Sequence, residues 1–334
     1  MTCVKNAPCC EVERGEVMKK TWYLIIGVVL LVIGCIAYGY HEYHKPKTAQ
    51  ELKTVRVAYL PITHALPVFA TKELETADGP VHVELVKYGS WPELMDALNT
   101  GKVDAAAVLV ELGVKAREQG IDVRAAALGH TEGNIIIVNK DINSVQDLKG
   151  KSFAIPHKQS TQKVLVDCML EEAGLSEKDV QIVEMSPPEM PSALSVGQIA
   201  GYSVAEPFGS LALEMGTGKV FEDPDHLWHD NICCALVFNG QFVDEHHDLA
   251  KAFTKAYLDA GEYLDEHPKA QEEISLKYMK FNDPVIERSL KVIGFKDLAL
   301  TEDRYNALVH HMTHIDLIKK VPAYSEFVDQ SLLP

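Results

Sequence analysis

Thr54-Val55-Arg56-Val57-Ala58-Tyr59-Leu60-Pro61-Ile62-Thr63-His64 is the stretch that decides the fold. Thr54 to Leu60 is β-branched and apolar, as a buried strand requires, and Pro61 then ends the ladder just before two polar side chains. A helix over Val68 to Leu74 follows, so the stretch opens a βα unit. The same alternation recurs downstream: a strand over Val81 to Lys87, a helix over Trp91 to Asn99, and a buried strand over Ala105 to Val110. Ala125 to Leu128 and Ile135 to Asn139 add strands, and Ser144 caps a short helix that Lys149-Gly150 ends. A second series then begins, with a strand over Ser152 to Ile155, a helix from Ser160 to Ala173 stopped by Gly174, and a strand over Val180 to Glu184. A helix over Pro191 to Val196 leads to a strand over Gly201 to Val204. After Ile232 to Phe238 the pattern turns helical, over Asp248 to Glu266, Pro268 to Tyr278 and Glu302 to Lys319. These helices are expected to pack back on the first series.

The expected fold is therefore α/β in two lobes, each a mixed sheet with flanking helices. Residues 51–138 with 238–334 make lobe one and residues 139–237 make lobe two. Ile135 to Asn139 and Ile232 to Phe238 are the expected hinge crossovers. A cleft between lobes joined by two strands is suited to closing on a solute.

Outward from the folded part lies an export signal. Met18-Lys19-Lys20 is basic, and Trp22 to Gly34 carries no charge before Cys35. An apolar run ending in a small residue and Cys resembles the bacterial lipoprotein signal, which would lipidate Cys35. The uncharged run continues to Tyr40, so an uncleaved transmembrane helix is the other reading. Either places the folded part on the outer side of a bacterial membrane. Residues 18–40 are thus the anchor and residues 41–50, polar with Pro46, the linker. Residues 1–17 read as an extension ahead of a natural start at Met18, and their Cys3, Cys9 and Cys10 match no zinc spacing.

The net charge of −16 over 334 residues excludes nucleic acid as a partner. Only Cys168, Cys233 and Cys234 lie in the folded part, which implies buried thiols and no disulfide framework. No nucleophile elbow, zinc-protease helix or phosphate loop is present, so no catalytic residue and no cofactor is assigned. His310 and His314 lie one helical turn apart beside His311, a spacing that can ligate zinc. They fall on the C-terminal wrap away from the cleft, where a solvated helix face is the plainer reading, and no metal ligand is assigned.

Four stretches resemble ABC transporter solute-binding proteins of the nitrate/bicarbonate and alkanesulfonate/taurine type, a group that includes thiamine-precursor binders. They are Val57 to Ala65 with Lys72-Glu73-Leu74, Ser90 to Leu94 with Asp96 to Leu98 and Gly101 to Ala105, Gln198 to Tyr202 running into Glu206-Pro207-Phe208, and Leu227-Trp228-His229 before Cys233-Cys234. The resemblance implies a type II periplasmic-binding-protein fold and a binding role without chemistry. It further implies a small, anionic ligand (an aliphatic sulfonate, nitrate or bicarbonate) and delivery to a membrane permease driven by a separate ATPase. The alternatives are a binding protein for a pyrimidine thiamine precursor and, as a different class, an extracellular metal-binding protein.

In parallel α/β sheets ligands sit beyond the carboxyl ends of strands, which selects Pro61, Thr63 and His64 after the first strand and Ser90 and Trp91 after the second. The resemblance adds that an aromatic at Trp91 faces the cleft. His130 and Thr131 precede the first crossover. His157, Ser160 and Thr161 stand at a helix N-terminus, where free N–H groups favour an anion. Glu206 belongs to the resembling Glu-Pro-aromatic element, with locking of its own turn as the plainer role. For the others the plainer readings are turn residues, caps and core packing.

Overall fold

The computed structural model describes residues 22–23, 26–35 and 53–334. Residues 26–35 are helical, and Cys35 is exposed. The rest of the expected extension, anchor and linker lies outside the described residues. Among the described residues no helix is long and apolar enough to cross a membrane.

Residues 53–334 are built on two five-stranded sheets. The first contains β1 (Thr54–Tyr59), β2 (His82–Lys87), β3 (Ala105–Leu109), β4 (Val123–Leu128) and β11 (Cys234–Asn239), in the order β2-β1-β3-β11-β4. The second contains β6 (Asn134–Asn139), β7 (Ser152–Ile155), β8 (Gln181–Glu184), β9 (Gly201–Ala205) and β10 (Gly218–Val220), in the order β10-β6-β9-β7-β8. A two-stranded ladder pairs β5 (Thr131–Glu132) with β12 (Ile293–Gly294). The second of these interrupts the C-terminal region that was expected to be wholly helical.

Strand β1 pairs in parallel with β2 and β3, as βα units require. Helices α1 (Leu66–Leu74), α2 (Trp91–Asn99) and α3 (Val110–Glu118) follow β1, β2 and β3. Pro92 in the first turn of α2 has no N–H to leave unpaired, which favours the helix start there. In the second sheet α4 (Thr161–Glu172) follows β7, and Ser160 caps it by accepting the Lys163 amide at 3.1 Å.

The change of sheet falls a few residues from where it was expected. Ile135 to Asn139 lies within β6, wholly in the second sheet, paired with β9 and β10. The apolar run to Phe238 lies in β11, wholly in the first sheet, antiparallel to β3 and β4. The chain therefore crosses through residues 129–133 and 221–233. Apolar runs that bury both faces mark strands, but their pairing partners decide the lobe.

Of the C-terminal helices, α5 (His247–Glu266) buries Phe253, Tyr257 and Leu264 and packs against α1 and the first sheet. Burying each such apolar side chain contributes about 1.5–3 kcal/mol. Tyr257 donates its hydroxyl to the Leu128 carbonyl at 3.2 Å, tying the helix to the end of β4. The helix over Asp283–Ser289 packs on Phe208–Glu214 beside the second sheet, so the wrap touches both lobes. The last long helix, α6 (Glu302–His314), stops short of the expected Lys319.

Candidate functional site

The antiparallel entry of β11 carries its first residues to the edge where β3 and β4 end: Cys234 pairs with Leu109, and Ala235 with both Val108 and Leu128. The two crossing segments meet there, the Gly129 amide donating to the Cys234 carbonyl at 2.8 Å. Four buried side chains gather at this edge. They are His64 after β1, His130 after β4, and Cys233 and Cys234 at the start of β11, with one nitrogen or sulfur from each lying within 4.8 Å of the others. The thiol sulfurs are 3.9 Å apart, and Cys234 Sγ is 3.5 Å from His64 Nδ1. The imidazole rings of His64 and His130 overlap with centroids 3.5 Å apart.

The second lobe closes over this floor through the start of α4. Thr161 Oγ1 lies 2.5 Å from Glu111 Oε1, on α3 of the first lobe, and 2.7 Å from the Ile232 carbonyl. Gln162 donates through Nε2 to Asn134 Oδ1 at 2.7 Å and to Cys233 Sγ at 3.3 Å, and Asn134 donates to Asn231 Oδ1 at 3.0 Å. Several polar atoms remain buried without a partner here: Glu111 Oε2, His130 Nδ1 and Gln162 Oε1; Trp91 Nε1, after β2, is another but lies away from the floor. Each is a group that burial penalises unless something satisfies it.

Burial disfavours the charged forms of the Glu111 carboxyl and the His130 imidazole. Burial, reinforced by Cys233, holds the Glu111 carboxyl well above its ordinary value. Burial and then His64 bring His130 down to about 4. Burial opposes ionisation of Cys233, but its hydrogen bond with Cys234 and the adjacent imidazoles outweigh it and hold the thiol well below its ordinary value. Burial and the neighbouring Cys233 push Cys234 the other way.

Residues 48–277 match the NMT1-like family. The chain belongs to that family. This NMT1-like protein is 29% identical over 289 residues to the putative aliphatic sulfonates-binding protein of Bacillus subtilis, and the match covers 82% of each chain. It is 26% identical over 239 residues to the nitrate import ATP-binding protein of Synechocystis, a match to 65% of this chain. It spans only 36% of that protein's length and 37% of its Synechococcus elongatus counterpart. The ligand-binding component of an ABC-type import system from Staphylococcus aureus, solved with zinc bound, superposes with a TM-score of 0.80 at 35% identity. That superposition covers 84% of this chain and 97% of the other. The periplasmic-binding-protein fold that the resemblance implied is the fold observed.

Of the predicted site residues in this NMT1-like protein, His64, His130 and Thr161 meet at the floor. Ser90, Trp91 and His157 instead line a cavity of about 210 Å³ at the mouth, between Pro92 of the first lobe and Pro156, Glu184 and Pro187 of the second. Burial lowers the pKa of His157 there. Thr63 spends its groups on the seam itself: its amide and hydroxyl both donate to the Glu206 carbonyl, at 3.0 and 2.9 Å. The Glu206 carboxylate accepts the Ser210 amide and hydroxyl, so the turn-locking role is the one the structure assigns to it. Ser160 is consumed by capping and by donating to the His157 carbonyl at 2.7 Å. Pro61 is half-buried and shapes the turn before Thr63. Thr131 pairs with Gly294 in the small ladder and does not join the floor. His314 reaches Glu171 at 3.1 Å on the exposed surface and His311 packs on Trp228, so the helical histidines are not gathered into one site.

Glu111 and Gln162 were not singled out in the sequence, and Cys233 and Cys234 were read there as buried thiols and not as site residues. The adjacent cysteines were the available signal, since two thiols at a predicted crossover sit where a cleft closes.

Proposed function

We propose that this protein is the solute-binding component of an ABC importer. It captures one small solute at the seam between its lobes on the outer side of a bacterial membrane and hands it to a permease driven by an ATPase. The observation that carries this reading is the seam itself: Thr161 and Gln162 of the second lobe touch Glu111 and Cys233, and Glu111 Oε2 and Gln162 Oε1 are buried there without partners. Closure around a solute that satisfies them gives the differential affinity that drives a two-state receptor. The reading needs no chemical step, and no residue is assigned a catalytic role. An acyl anchor at Cys35 would hold the receptor beside its permease.

The ligands named for the relatives fall into two classes, the anions of sulfonate and nitrate systems and a zinc ion, and both are candidate cargoes for this seam. Thermal unfolding of the full-length chain against nitrate, bicarbonate, taurine, longer alkanesulfonates, a hydroxymethylpyrimidine and zinc tests the reading. A native-state ligand at a hundred times its Kd adds about 2.7 kcal/mol. One selective rise is expected; no rise with any of them rejects the receptor assignment.

A further inference from the structure

Resting on that reading, we propose that the cargo is a thiophilic metal ion of the zinc type, held by His64, His130, Cys233 and Cys234. Zinc–sulfur bonds near 2.3 Å and zinc–nitrogen bonds near 2.0–2.1 Å require donor atoms about 3.3–3.8 Å apart along the edges of a tetrahedron. The sulfur–sulfur distance of 3.9 Å and the sulfur–imidazole distance of 3.5 Å are already at that scale. Two thiolates and two imidazoles form a donor set that selects zinc over magnesium, calcium and manganese.

The surroundings fit a metal shell. His64 Nε2 lies 3.0 Å from the Gly133 carbonyl. A carbonyl only accepts, so Nε2 carries the proton and the lone pair of Nδ1 faces Cys234, the orientation a metal-bound imidazole needs. Gly133 holds a positive φ of +81°, and a Cβ there would stand 3.1 Å from His64 Nε2 and 2.8 Å from Ile293, so glycine keeps this support in place. Gln162 Nε2 lies 3.3 Å from Cys233 Sγ, as outer partners of ligating sulfur do. His130 Nε2 accepts from the Cys234 amide at 3.4 Å, so its lone pair is the one turned toward the cysteines, and the buried Nδ1 carries the proton without a partner.

An anion is badly served at the same point. Glu111 is fully buried beside Cys233, and the nearby Lys163 ammonium is engaged by Asp167 and Glu177. The Lys163 amide of the α4 N-terminus is taken by Ser160. A cavity of about 510 Å³ borders Asn134 and Asn231 and is lined by Glu132, Glu222, Asp223 and Asp225 against Lys291, an acidic approach that draws cations inward.

All four donors come from the first lobe and the two crossing segments. The second lobe contributes Gln162 and Thr161, which touch Cys233 and Glu111. The ion is thus gathered first, with the thiol protons released to solvent, and α4 then closes on the loaded floor.

The test uses the full-length chain, reduced and metal-free, titrated with Co²⁺ as a spectroscopic probe and then with Zn²⁺. Expected are one ion per chain, a thiolate-to-cobalt charge-transfer band with tetrahedral visible bands, and displacement by zinc. Zinc should also protect Cys233 and Cys234 of the wild type from alkylation, a readout independent of any variant. Joint Cys233→Ser and Cys234→Ser substitution should abolish the charge-transfer band while metal-free circular dichroism stays unchanged. Gln162→Ala should keep the band and weaken affinity roughly 10- to 100-fold. A wild type without the band, or thiols that zinc leaves reactive, overturns the metal assignment. If taurine or nitrate then raises the unfolding temperature, the receptor reading survives that loss. If zinc binds at the four donors and small-angle scattering shows no compaction, closure on cargo fails while the site stands.

Discussion

Thr161 is the hinge between binding and closure, and Thr161→Val isolates it. The substitution exchanges a hydroxyl for a methyl group of similar size at a fully buried position. It removes the donor that sits 2.5 Å from Glu111 Oε1 and 2.7 Å from the Ile232 carbonyl. Glu111 Oε2 already lacks a partner, so the variant leaves the carboxyl group without any side-chain donor. Leaving such a buried group unsatisfied costs about 1–3 kcal/mol. Because Thr161 belongs to α4 while Glu111 belongs to α3 of the first lobe, that cost falls on the closed state and leaves the open one unchanged. At 1.4 kcal/mol per decade, the apparent Kd for the cargo should rise by about 5- to 150-fold. Calorimetric titration of zinc into the full-length protein measures it, with circular dichroism of the ligand-free form as the control. A Kd within about twofold of wild type, far below the 1 kcal/mol floor of that range, would show that the contact is incidental and would sink the closure argument.

Trp91→Phe removes an indole N–H that is buried without a partner, so the ligand-free protein should unfold at the same temperature or higher; a clear fall would mean that an unseen acceptor holds that group. Gly133→Ala forces a side chain onto a positive φ and against Ile293 and His64, and should cost about 1–3 kcal/mol in chemical denaturation while weakening metal binding; unaltered stability and affinity would refute the tight approach. Glu118 is held down at about 2 by its hydrogen bond with Lys115 and by the amides of Lys320 and Lys319. Its folded pKa lies below the ordinary 4.5, so its stabilisation is complete above that pH and is lost as the pH falls toward 2. Glu118→Gln should flatten that stretch of the stability curve, and an acid limb identical to wild type would count against the cap.

The first sheet was legible because β1 and β3 bury nearly every side chain and a turn with Pro61 and Thr63 follows β1, although the helix after β3 begins at Val110 with no turn between. The Ser160 cap and the stop at Gly174, where φ is +69°, were legible for the same local reasons. What local pattern does not carry is strand pairing. Ile135 to Asn139 and Ile232 to Phe238 read correctly as apolar strands, yet whether each closes one lobe or opens the next depends on partners far along the chain. The same blindness hid the thiols. In an apolar run Cys233 and Cys234 read as small core residues, and only the antiparallel entry of β11 delivers them to the edge where His64 and His130 end their strands. Glu111 was hidden for another reason: a carboxylate in the first turn of a helix is ordinarily solvated, and its burial comes from the opposing lobe. Thr131 erred in the opposite direction, since polarity beside a crossover suggested a ligand contact while the hydrogen bonds of that segment belong to β12.

The position of the four donors has a mechanical consequence. His130 lies in the crossing segment 129–133 and Cys233 at the end of the segment 221–233, so an ion joining them braces the two hinge strands to each other. Gly129 and Cys234 already share a hydrogen bond across that gap at 2.8 Å, and the Cys234 amide lies 3.4 Å from His130 Nε2. A solute held only between lobe faces leaves the hinge free to reopen. An ion held at the hinge stiffens the axis of motion itself, and the entropy lost in that stiffening is spent once, before α4 arrives. At the floor itself the second lobe then contributes the contacts of Thr161 and Gln162, beside the Thr63 to Glu206 hydrogen bonds of the seam. Release would still require the thiolates to give up the ion. In the proposed receptor, separating α4 from the floor would remove the Gln162 contact from Cys233, so release of the ion would begin with that separation.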